Sequence, residues 1–244
     1  MSSNSSYINE DGDVVIGKRE KKRKLHGKPE PMDQQKRLVV VLEGACLETV
    51  KVGERYELLN VDDHLRLMQR KKRDLSEARS DVTHQCLMNL LDSPLNKAGL
   101  LQIFIHTRKN VLIEVNPHVR LPRTFKRFAG LIVQLLDKLK IRSSSQGEIL
   151  LRVVKNPVTG YLPAGAQRIA TSCKADNPVP LDQFLPTISK TKNDPVVFII
   201  GCFAKGNVNV DYADKTIAFS EYPLSAAMSC AKVTSAFEQF WGVV

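Results

Sequence analysis

"DPVVFIIGCFAKGNV", Asp194 to Val208, is the stretch on which the fold turns. Its run Val196–Ile200 is wholly apolar and mostly β-branched. So short a run, greasy at every position, predicts a strand covered on both faces, as in a parallel sheet. Asp-Pro in front and Gly201 behind mark its limits. Ligands of such sheets sit beyond the carboxyl ends of the strands. There Gly201 and Gly206 flank a loop whose backbone, lacking Cβ, admits close approach. Ordinary turns use glycine too. "GCFAKG" is not G-x-G-x-x-G, and no Lys-Ser/Thr pair follows, so a dinucleotide or NTP site is not expected. A second loop, "FSEYPL" (Phe219–Leu224), lies just ahead of the last helix, placed to face the first. Together the two loops predict a pocket for a small cofactor held mainly by backbone groups.

Working outward, "RLVVVLEGA", "LLQIFIHT", "VLIEVN" and "ILLRVVKNPV" read as further strands, the second and third separated by a turn-like "RKN". "THQCLMNLLDSPLNKAG" reads as a helix with Leu87, Leu90 and Leu91 inward and Pro94 near its end. "YPLSAAMSCAKVTSAFEQFWGVV" reads as a closing helix opened by Pro223, its small residues suited to close packing. Strands alternating with helices imply an α/β domain with a largely parallel sheet. Residues 173–193, rich in Pro, Asp and Lys, read as loop and short helix. About 51–80 the chain is highly charged without a long apolar run, an insertion decorating the core. Residues 1–35 read as a disordered basic tail and 36–244 as the folded domain. Within the tail, "KREKKRKLHGK" fits a nuclear-localisation tract, a polyanion-binding arm or a merely solvated segment.

Composition narrows the classes. The net charge is +10 and the pI about 9.4, so polyanions attract the chain. Cys46, Cys86, Cys173, Cys202 and Cys230 are odd in number and scattered, without CxxC spacing, so reduced thiols are expected rather than zinc or disulfides. His84, His106 and His118 share no metal spacing. The apolar runs are too short to span a bilayer, and "MSSNSSYINEDGD" lacks the apolar core of a signal peptide.

The sharper signal is "VRLPRTFKRFAGLIVQLL", Val119–Leu136. Leu121, Phe125, Phe128, Ile132, Leu135 and Leu139 form one helical stripe, with Pro122 suited to the first turn. Arg120, Arg123, Lys126 and Arg127 crowd that end, although a helix N-terminus disfavours cations by a few tenths of a kcal/mol each. Between Lys97 and Arg127 there are seven Lys or Arg and one acid, Glu114. Either these cations are simply solvated, or an anion such as a phosphate docks on them. Asp81, at the start of the preceding helix, reads as a cap.

Five long stretches carry a family likeness: "LVVVLEGACLETVKVG", "DVTHQCLMNLLDSPLNKAGLLQIFIHT", "VLIEVNPHVRLPRTFKRFAGL", "VVKNPV" and "YPLSAAMSCAKVTSAFEQFWGV". Over roughly residues 37–244 the chain resembles the Nep/Emg ribosome-biogenesis family, pseudouridine N1-specific methyltransferases of the SPOUT superfamily. The resemblance implies a C-terminal trefoil knot, a homodimer, S-adenosyl-L-methionine as cofactor, and methylation of a pseudouridine in small-subunit ribosomal RNA. Nucleus and nucleolus, and components of the pre-ribosomal particle as partners, follow from the same likeness. By motif, the cofactor would lie against Thr171, Gly201, Gly206, Asn207, Val208, Phe219, Ser220, Glu221, Tyr222, Pro223 and Leu224. Arg79, Arg120, Arg123 and Arg127 would hold the RNA, with Asp81 bracing Arg79 through a salt bridge. The family pattern "ARPD" is "ARSD" here, so Ser80 is expected to loosen a turn that Pro would stiffen. N1 of pseudouridine must lose a proton, and Asp81 and Asp92 are the candidate acceptors. The rivals are a non-catalytic RNA-binding assembly factor on the same basic face, and a SPOUT enzyme for transfer RNA, which should lack the Arg120–Arg127 motif.

Overall fold

The computed structural model describes residues 4–8, 14–18, 36–144, 147–175, 177–189 and 193–244. β1 (Asn4–Ile8) and β2 (Val14–Lys18) pair antiparallel as a separate ribbon. Both strands lie within residues 1–35, the stretch read as a disordered basic tail. The basic tract beyond Lys18 lies outside the described residues.

β3 (Leu38–Ala45) opens the main body. A second ribbon follows, β4 (Thr49–Val52) with β5 (Arg55–Leu58), and then α1 (Val61–Arg70). α2 (Ser80–Asp92) and the short α3 (Pro94–Lys97) lead into β6 (Leu101–Thr107) and β7 (Leu112–Val115). α4 (Phe125–Lys138), β8 (Lys140–Arg142) and β9 (Ile149–Val154) come next. The C-terminal part is β10 (Gln167–Thr171), α5 (Leu181–Ile188), β11 (Val196–Gly201), β12 (Lys215–Ile217) and α6 (Ala226–Trp241).

One eight-stranded sheet runs in the order β12-β10-β11-β3-β6-β7-β9-β8. From β12 to β6 every pairing is parallel, and from β6 to β8 every pairing is antiparallel. Connection length decides which. β3 reaches β6 through α2 and α3, and β10 reaches β11 through α5, whereas β6 and β7 are joined by the turn Arg108–Asn110, with Asn110 at φ 58°. The alternation along β3 separates two cores. Leu38, Val40 and Leu42 pack with Leu87, Leu90, Phe128 and Phe237 under the helices. Val39 and Val41 meet Phe104, Val197 and Ile199 on the opposite face, which Val208, Val210, Tyr212 and Ala213 cover together with the short helical turn at Val158–Tyr161. The charged segment after β4 carries a minor core of its own, Val50, Leu59, Met68 and Ala78.

Three local expectations change. α4 begins at Phe125, so Pro122, Arg120 and Arg123 lie in the loop ahead of it, and only Lys126 and Arg127 share its first turn. His84 Nε2 donates to the Pro122 carbonyl at 2.8 Å, and Thr124 is extended at φ −91° and ψ 137°, so the helical conformation starts only after it. Leu139 is the C-cap at φ 61° and 57% exposed, so the apolar stripe ends at Leu135. α6 begins at Ala226, where Ser225 accepts from Met228 N–H, rather than at Pro223.

Candidate functional site

β11 ends in a glycine because its neighbours leave no room for anything larger. A Cβ on Gly201 would lie 2.7 Å from Phe203 Cζ and 3.0 Å from Val208 Cγ2. Gly44, at φ 73°, gives the same ring its clearance from the other side, where an added Cβ would come within 2.8 Å of Cδ1. Phe203 is thereby seated at the carboxyl ends of β3 and β11, with the Arg108 guanidinium 5.9 Å from its centroid.

Beside it opens a cavity of about 230 Å³. Thr171, Gly201, Gly206, Asn207, Val208, Phe219, Ser220, Tyr222, Pro223 and Leu224 all line it, so the glycine-bearing loop and the Phe219–Leu224 loop face one space. Glu221 does not. Ser220 Oγ accepts from Tyr222 N–H at 3.1 Å, and this tight turn sends Glu221 outward. Phe203, Ser172, Cys173, Ile217 and Ser229 also line the cavity and were not anticipated. For Phe203 a signal existed, an aromatic residue between two loop glycines. Ser172, Cys173 and Ile217 come in with the paired strands β10 and β12, and Ser229 with the packing of α6.

The basic candidates gather around α2. Arg79 Nε and Nη2 donate to both oxygens of Asp81, at 2.8 and 2.7 Å. The Arg79 guanidinium holds the Asp81 carboxyl below the usual carboxylate range. Asp81 therefore is not the N-cap, a position held by Arg79 itself without a side-chain cap bond. Ser80 does not loosen the turn. It is fully buried, and its hydroxyl donates to Leu59 O at 2.9 Å, a fastening that proline lacks. At the other end of α2, Asp92 accepts from Arg123 at 2.6 Å. His84 Nε2 also donates to Pro122 O, so α2 grips the loop carrying Arg120 and Arg123 at two points, and the His84 ring stacks on Phe128 of α4 with centroids 4.5 Å apart. Arg120, Arg123 and Arg127 are exposed. Glu114, the sole acid in that stretch, pairs with Arg152, while Arg123 and Lys109 of the run are met by Asp92 and Glu48 from outside it. Neither Asp81 nor Asp92 lines the cavity, and each is engaged by an arginine, so neither is placed to take a proton there.

One contact joins the basic cluster to the cavity. Thr83 Oγ1, one turn along α2 from Arg79, lies 3.2 Å from Cys202 Sγ, and Cys202 follows Gly201. All five cysteines are free, and among the described residues no His/Cys/Asp/Glu group is arranged to hold a metal ion. No helix among them is long and apolar enough to cross a membrane.

A prediction follows from the Arg79–Asp81 pair. Both side chains are a third or more exposed, so its stabilisation at neutral pH is small. A depressed carboxyl stabilises the fold above its unfolded pKa of about 3.9, and that contribution disappears as pH falls through the lowered folded value. Asp81→Asn should flatten this acid-side fall in melting temperature and, on the expectation that Arg79 holds RNA, weaken RNA binding severalfold at neutral pH by releasing Arg79. Melting curves from about pH 2 to 6 with an RNA titration check both; unchanged RNA affinity shows that Arg79 needs no brace.

Known proteins share this sequence and fold. The model of the EMG1/NEP1 methyltransferase family matches residues 40–238. The mouse and human proteins named "Ribosomal RNA small subunit methyltransferase NEP1" are each 54% identical over 209 residues, covering 86% of this chain and 84% of theirs. The crystal structure of Archaeoglobus fulgidus Nep1 bound to S-adenosylhomocysteine shares the fold at a TM-score of 0.67, with 21% identity, over 85% of this chain and 99% of that one. With the two-loop cavity and the arginine cluster on one scaffold, and the family match spanning both, the chain belongs to the EMG1/NEP1 methyltransferase family.

Proposed function

We propose that the chain is an S-adenosylmethionine-dependent methyltransferase of small-subunit ribosomal RNA, acting at N1 of a pseudouridine. The Thr83–Cys202 contact carries this reading, because it fixes the helix that Arg79 caps against the loop that lines the cavity. The cavity suits the cofactor. Val208, Ile217, Phe219 and Leu224 offer apolar walls, and Thr171, Asn207 and Ser220 offer polar groups. When bound, S-adenosylmethionine supplies a methyl group for in-line displacement from sulfur. The protein's part is to position the base and exclude water. Pseudouridine presents an N1–H because its glycosidic bond is to carbon, whereas N1 of uridine is already bonded to ribose. Arg79, Arg120, Arg123 and Arg127 hold the RNA backbone, and the target base leaves its stack to reach the cavity. Glycine clearances maintained at Gly44 and Gly201 favour a working pocket over a purely structural assembly factor.

The finer features belong to the same proposal. The stretches 202–214 and 218–225 form the knot, 51–80 is a family insertion, and α6, with Met228 half exposed, packs against a second copy in a homodimer. Work on small-subunit RNA fits action in the nucleus and nucleolus beside pre-ribosomal components. The test is incubation with labelled S-adenosylmethionine and matched stem-loops bearing uridine or pseudouridine at one position. Label should enter only the pseudouridine RNA, and the protein should sediment as a dimer at micromolar concentration. RNA binding with no label in either stem-loop would instead favour the assembly factor.

A further inference from the structure

Glu43 lies outside the cavity, yet it touches the cavity loop twice. Its backbone O accepts from Cys202 N–H at 2.7 Å, where the loop leaves β11. Its carboxylate Oε2 accepts from the Tyr212 hydroxyl at 3.0 Å, where the loop returns. Between these points the chain carries Phe203, Gly206, Asn207 and Val208, all lining the cavity. The register explains the arrangement. Gly201, Glu43 and His106 are partners in one row across β11, β3 and β6. Glu43 and His106 have the parity of Val41 and Phe104, so both face the side of the sheet that the loop covers.

The carboxylate is itself held. His106 Nδ1–H donates to Glu43 Oε1 at 2.7 Å, and the other ring nitrogen faces Asn110 Oδ1 at 2.9 Å. That Asn110 oxygen also accepts from Asn156 Nδ2, which fixes the amide orientation. Two acceptors around one ring call for a doubly protonated imidazole, and the Glu43 bond accordingly raises the His106 pKa. Beyond Tyr212 the loop is anchored separately by Asp214, which pairs with Arg168 at 2.7 Å.

We infer that Glu43 is a positioning residue for the cofactor loop. By closing the span from Cys202 to Tyr212 at both ends, it sets affinity for S-adenosylmethionine without contacting it. The inference rests on the reading of the cavity as the cofactor site.

Tyr212→Phe removes one oxygen from a partly buried ring and leaves the packing in place. A lost hydrogen bond to a charged group should weaken S-adenosylhomocysteine binding about tenfold, measured by calorimetry. Amide hydrogen exchange over residues 203–212 in the ligand-free protein should quicken by a similar factor, with RNA stem-loop affinity unchanged. Glu43→Gln keeps an acceptor for Tyr212 and should bind near the wild-type level, whereas Glu43→Ala should match or exceed the loss in Tyr212→Phe. Folded Tyr212→Phe with loop exchange and affinity both within about twofold of wild type overturns the assignment. Wild-type protein that fails to bind S-adenosylhomocysteine overturns the cofactor reading instead, and the exchange measurement still decides the clasp.

Discussion

Gly201→Val is expected to abolish S-adenosylmethionine binding while leaving a folded protein. An added Cβ meets Phe203 and Val208 at 2.7 and 3.0 Å, distances that packed atoms do not tolerate. Overpacking of this kind costs about 1–3 kcal/mol, and the two branches of valine place it at the upper end. The atoms in the way are the tip of the Phe203 ring and a Val208 methyl group, which can swing. Both line the cavity, so what moves is the binding site rather than the sheet. Affinity should therefore fall by roughly a hundredfold or more. The melting temperature should drop by only a few degrees, since β11 stays paired on both sides. Calorimetry and a melting curve on the same preparation decide it. Unchanged affinity in folded protein removes this loop from the cofactor site.

Replacing Arg120, Arg123 and Arg127 together by alanine should have an equally large effect on the other ligand. A hydrogen bond to a charged group contributes on the order of 1.5 kcal/mol. Three lost phosphate contacts then lower RNA affinity roughly 10²–10³-fold, the lower figure allowing for Asp92, which Arg123 must release before it meets a phosphate. The slope of log affinity against log salt should flatten by about 2, at roughly 0.7 per contact on single-stranded RNA. Cofactor affinity should not change, because none of the three lines the cavity. Stability should hold, since all three side chains are exposed and two lie ahead of α4. A triple variant with intact RNA affinity and a lowered melting temperature assigns the arginines to structure.

The sequence legible in "DPVVFIIGCFAKGNV" yielded the parallel half of the sheet, because a strand buried on both faces must be apolar at every position. The antiparallel half was less visible. Strand direction is set by connection length, and the turn at Arg108–Asn110 that reverses β7 is read as a turn but not as a change of sheet type. The N-terminus of α4 was misjudged for a different reason. Pro122 is locally a good first-turn residue, but His84, distant in sequence, claims its carbonyl. The extended backbone at Thr124 starts the helix later than the proline suggests.

The candidate site divides the same way. Residue type and spacing alone determined the glycine-bearing loop after β11, the Phe219–Leu224 loop ahead of α6 and the excess of cations before α4, since close approach of backbone to a ligand favours glycine and phosphate requires guanidinium or ammonium. Tertiary structure decided what those residues face. It turned Glu221 outward, engaged Asp81 and Asp92 with arginines rather than leaving them to act as bases, and lodged Phe203 among three glycines. It also brought Glu43, His106 and Tyr212 into one clasp from a strand, its neighbour and a returning loop. No local pattern encodes such a meeting. Hydrogen bonds between residues 63 and 169 positions apart depend on sheet register and loop path, which only the folded chain fixes.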